Sequence, residues 1–104
     1  LPDQPALRSL IASLRPTPHY EDTAPLLIAS LDLAEVDFLA ALVRDPHVYV
    51  AEAVLRAIAA RPAATLLPIV DAGTSHDHLM VRNAADAARR RIAACGDAGI
   101  SQKD

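Results

Sequence analysis

Prolines and turn residues recur along this chain so regularly that only short segments fit between them, and it must fold by packing short elements side by side. Within each segment the apolar residues fall three and four apart, the helical period. Composition agrees with helices. The sequence is 52% hydrophobic but only 3% aromatic, and Ala and Leu dominate where strands would favour aromatic and β-branched residues. Gly73, Gly96 and Gly99 are the only glycines, too few for a glycine-rich phosphate loop or dinucleotide fingerprint.

Six helices are expected, over 4–14, 23–31, 33–44, 46–60, 62–70 and 77–94. Asp3 caps the first, with Pro5 in its first turn and Leu7, Leu10, Ile11 and Leu14 as its stripe. Pro16 and Pro18 end it. Asp22 or Thr23 opens the second with Pro25 in its first turn, and Asp32 with Glu35 reads as a capping box for the third. Asp45-Pro46 begins the fourth, whose stripe is Val48, Ala51, Leu55 and Ile58. Pro62 starts the fifth, and a polar turn over 71–76 holds Gly73. The sixth carries Val81, Ala85, Ala88 and Ile92 and is expected to stop at Gly96 in a left-handed cap. One domain over 1–95 and a flexible C-terminal tail over 96–104 are therefore predicted.

The helices repeat. Val48 and Val81 hold equivalent places, as do Ile58 and Ile92, at separations of 33 and 34 residues. The stretch Thr65-Leu66-Leu67-Pro68-Ile69-Val70-Asp71, then Asp77 and Val81-Arg82-Asn83-Ala84-Ala85-Asp86-Ala87-Ala88, closing on Ile92, resembles the HEAT-repeat family. Residues 45–58 fit that pattern less well, with Tyr49 where the family's arginine would stand. Residues 1–43 fit by helix rhythm alone. The resemblance implies an all-α solenoid of about three stacked antiparallel helix pairs. Asp77 is expected to cap the sixth helix or bond Arg82.

Chemistry-bearing clusters are sparse. His76-Asp77-His78 has metal-binding side chains, but three residues on one turn cannot converge on an ion and no further ligand is evident, so no metal site is assigned. Cys95 is the only thiol, beside an expected helix C-terminus that disfavours a thiolate. The serines lie in no nucleophile-elbow context. No catalytic residue and no cofactor are assigned. The resemblance also reaches enzymes: diiron hydroxylases with His-Glu pairs, which this chain lacks, bilin-attachment proteins and DNA glycosylases. A HEAT-like enzyme or enzyme subunit is thus the alternative reading.

The expected function is a non-catalytic protein-interaction or scaffold module, binding a protein or peptide on its concave helix face. In the family resembled, second helices line that face. The binding row is then Tyr49, Glu52 and Arg56 on the fourth helix beside Arg82, Asp86 and Arg89 on the sixth. A mean hydropathy of +0.19 suggests that exposed solenoid ends are covered by further repeats or by self-association. A net charge of −3 and few aromatics disfavour nucleic acid. One cysteine and no apolar run of about 18 residues fit a cytoplasmic, membrane-free setting. Nine arginines against one lysine read as the composition of a GC-rich bacterial genome.

Overall fold

The computed structural model describes residues 3–103, with side chains up to Cys95. It is all-helical: α1 (Gln4–Leu14), α2 (Tyr20–Ile28), α3 (Val36–Val43), α4 (Val48–Ala60), α5 (Leu67–Thr74) and α6 (Leu79–Lys103), with no strand among the described residues. α1 begins as expected, with the Asp3 carboxylate accepting the Ala6 N–H at 2.9 Å. Leu7 and Ile11 are buried, whereas Leu10 and, on α3, Val36 are exposed.

α2 starts three residues earlier than expected. Thr17 explains the shift, because its hydroxyl accepts the His19 N–H at 3.3 Å and donates to the Leu14 carbonyl at 2.7 Å. That turn lets the chain become helical at once, with Tyr20 swung into the core. Neither Asp22 nor Thr23 caps. Pro25 lies in the helix body, so the Glu21 carbonyl lacks its usual amide donor four residues on.

The capping box at Asp32 and Glu35 does not form. Asp32 Oδ1 accepts the Ala34 N–H at 2.9 Å, closing an Asx turn, while Glu35 pairs with Arg8 on α1 at 3.2 Å. Gln4 holds this turn from the other side: its Oε1 accepts the Asp32 N–H at 2.6 Å. Pro62 does not start α5 either. Residues 62 and 63 are non-helical, a 3₁₀ turn covers Ala64–Leu66, and Pro68 takes the first-turn place where a missing N–H costs nothing. At the far end the backbone of α6 runs through Gly96 to Lys103, so the stop expected at Gly96 is not made. The side chains of the predicted tail lie outside the described residues.

Each helix touches its successor in the pairs α1–α2, α3–α4 and α5–α6. Contacts also skip one helix, joining α2 to α4, α4 to α6 and α3 to α5. α4 is the middle of the molecule, and its buried stripe is correspondingly wider than expected: Val50, Val54 and Ala57 are buried beside Ala51, Leu55 and Ile58, and Val48 only partly. One continuous aliphatic core runs from Leu7 to Ile92.

Gly73 lies inside α5, not in a turn, packed against Leu55 of α4 and Ala85 of α6. A Cβ built there would stand 2.9 Å from Leu55 Cδ1 and 3.0 Å from Ala85 Cβ. The leucine tip can move, but the Ala85 methyl is fixed to its backbone. Gly73→Ala gains about 1 kcal/mol of helix propensity and costs about 1–3 kcal/mol in overpacking. A thermal melt is expected to show a lower Tm for this variant.

Candidate functional site

Asp45 precedes α4 and is the only buried charged residue among those described. Its carboxylate accepts the Tyr20 hydroxyl at 2.6 Å and the His47 N–H at 2.9 Å, and Arg15 stands 3.7 Å away. His47 Nδ1 lies 2.8 Å from the same carboxylate. An ionised carboxylate only accepts, so Nδ1 carries the proton, and a neutral ring keeps a lone pair on Nε2. The His47 and Tyr20 rings meet edge to face, centroids 4.8 Å apart. Burial by itself pushes the Asp45 carboxyl upward, but hydrogen bonds from Tyr20 and His47, with Arg15, bring it below its ordinary value. Burial first, and the Asp45 carboxylate second, raise the Tyr20 phenol far above its own.

The folded Asp45 pKa lies below the unfolded one, so its ionisation stabilises the fold above about pH 4 and that contribution is lost on further acidification. Tyr20→Phe removes one donor, so in an acid titration followed by circular dichroism the variant should unfold at higher pH. At neutral pH it should lose about 1–3 kcal/mol, the cost of a buried acceptor without its partner.

His76 and His78 belong to the turn before α6. His76 Nδ1 accepts the His78 N–H at 3.0 Å, and His78 Nδ1 accepts the Met80 N–H at 3.1 Å, so His78 caps α6 in place of Asp77. His76 Nε2 faces the Asp45 carbonyl at 3.4 Å. Both imidazoles are thus engaged with backbone. Among the described residues no three His, Cys, Asp or Glu side chains gather where an ion could sit.

The six predicted binding residues separate into two places. Tyr49, Glu52 and Arg56 line a groove of about 690 Å³ between α4 and α2, facing Glu21, Asp22, Pro25 and Leu26, with Arg61 at its far end. Leu26 and Tyr49 are 72% and 52% exposed, although both are large apolar side chains. Arg56 donates to Glu52 at 3.4 Å. Arg61 donates to the carbonyls of Leu31 and Ala29 at 2.9 and 3.3 Å. Glu21 and Asp22 enter no ion pair among the described residues.

Arg82, Asp86 and Arg89 lie on another side of α6 and line none of the groove. Arg89 pairs with Asp71 on α5, and Asp86 with Arg90 on α6 itself. Arg82 Nη1 donates to the carbonyls of His76 and Asp77, both at 2.8 Å, so it bonds the turn's backbone and not the Asp77 carboxylate. From α6, Arg91 bonds the Ala59 carbonyl of α4 at 3.3 Å. Arg82→Ala removes two bonds to fixed carbonyls, whereas Arg90→Ala removes one exposed side-chain pair. Its Tm should fall further, by about 4 °C for each 1 kcal/mol lost.

A smaller cavity of about 330 Å³ adjoins the groove, sharing Glu21 and Tyr49 and adding His47, His78 and Met80. An imidazole held by a carboxylate is half of a general-base arrangement. Among the described residues, no serine, threonine or cysteine lines this cavity. Cys95 is exposed and falls within α6, not at its end. No described helix is long and apolar enough to cross a membrane. No family model matches this chain, and no curated protein or solved structure is significantly similar to it.

Proposed function

We propose that the chain is a HEAT-like stack of three helix pairs that works as a non-catalytic interaction module, holding a protein segment in the groove between α2 and α4. Contacts between every second helix support the stacking. So do hydrogen bonds that recur at nearly one interval: Arg61 to Leu31 and Ala29, His76 to Asp45, and Arg91 to Ala59 join residues 30 to 32 apart. Each links one pair to the equivalent point of the pair before it, as repeat units must be linked.

The observation that carries the binding role is that two exposed apolar side chains, Leu26 and Tyr49, line one trough together with Glu21, Asp22, Arg56 and Arg61. A large exposed apolar patch rimmed by polar groups is the usual mark of an interaction surface. Tyr and Arg are also the residue types that most often dominate interface energetics. Selection of displayed peptides against the purified chain tests this reading. Tyr49→Ala should weaken the selected peptides by about 1–3 kcal/mol with helicity unchanged. Unaltered affinity in this variant places the site elsewhere.

A further inference from the structure

We infer that the segment accepted by the α2–α4 groove is extended and cationic, with an arginine seated against Glu21, Asp22 and Tyr49 and an apolar residue two positions away on Leu26; this rests on the groove being the binding site. The charge is the first reason. Among the groove's ionisable groups, Glu52 is paired with Arg56, and Arg61 is bonded to backbone carbonyls. The carboxylates of Glu21 and Asp22 remain without a counter-charge among the described residues, so this end of the trough is acidic.

The aromatic wall narrows the choice of cation. Two carboxylates suit a group made only of donors. The guanidinium of arginine has five, in a planar fork that also stacks on an aromatic ring such as the half-exposed Tyr49. A lysine ammonium would satisfy the charge but not the stacking.

Spacing sets the second anchor. On α2, Asp22 and Leu26 are four residues apart, about 6 Å along the helix axis, and both line the trough. In an extended chain, side chains on one face recur every second residue, about 6.6 Å apart. An arginine at the acidic end therefore places its second neighbour over Leu26, whichever way the segment runs.

The test uses the blocked, labelled peptide Ala-Leu-Ala-Arg-Ala-Leu-Ala, whose symmetry serves both directions, and its counterpart with glutamate in place of arginine. Fluorescence anisotropy at low ionic strength should show the arginine peptide binding at least tenfold tighter, with the gap narrowing as salt is added. Glu21→Gln with Asp22→Asn should reduce the gap below threefold, and Glu21→Lys with Asp22→Lys should reverse it. Circular dichroism checks that both double variants remain helical. Equal binding of the two peptides, lost in Tyr49→Ala, would overturn the cationic assignment while leaving the groove as the site. Failure of both peptides to bind would overturn it too, and the display selection would then judge the groove independently.

Discussion

One carboxylate organises the helix ends of this molecule. Asp45 takes its hydrogen bonds from the start of α2 through Tyr20 and the start of α4 through His47, and its carbonyl faces His76 in the turn before α6. Arg15, just past α1, adds its charge. A buried carboxylate is costly unless every lone pair finds a donor, and here the donors come from two different connections, 15–20 and 45–47. The aliphatic core is non-directional and would tolerate helices sliding past one another. A satisfied ionic group does not tolerate it, because any shift of one helix start leaves a buried charge short of a partner.

The rest of the frame relies on arginine in an unusual proportion. Arg61, Arg82 and Arg91 each bond main-chain carbonyls, and two of the three hold a pair of them. A guanidinium suits this work because its donors diverge in a plane and reach two carbonyls at once. The arginine bias, read from the sequence as genome composition, therefore has a local structural use. Arg89 and Arg90 behave differently, forming exposed pairs that add little stability.

The helical class was legible because it rests on local signals: alternating three- and four-residue spacing, Asp3 before Pro5, and prolines that cannot continue a ladder. Both ends of α1 and the C-terminal end of α4 follow from those signals directly, whereas α4 starts at Val48, two residues later than expected. α2 was misplaced because the Thr17 turn opens it early, and Tyr20, buried against Asp45 twenty-five residues away, holds that start in place. No local pattern announces such a partner, and the only hint was a tyrosine in a chain poor in aromatics. Gly73 reads as a turn residue until Leu55 and Ala85 are seen pressing on it. Of the groove, Tyr49, Glu52 and Arg56 were named from their helical spacing together with the family resemblance. Their opposite wall, Glu21 and Leu26, was not, since which helix lies beside α4 is set by tertiary packing.

The arginine-to-carbonyl joints carry a consequence for how such a chain can change. A side chain that grips a backbone oxygen recognises the path of the neighbouring chain and is indifferent to which residue provides it. At Ala29, Leu31 and Ala59 the receiving group is one that every amino acid possesses. Substitutions there are constrained by packing alone, and the register between the joined helices survives them. The donors have no such freedom. Divergence can therefore accumulate on the receiving side of each joint while the helix spacing stays constant.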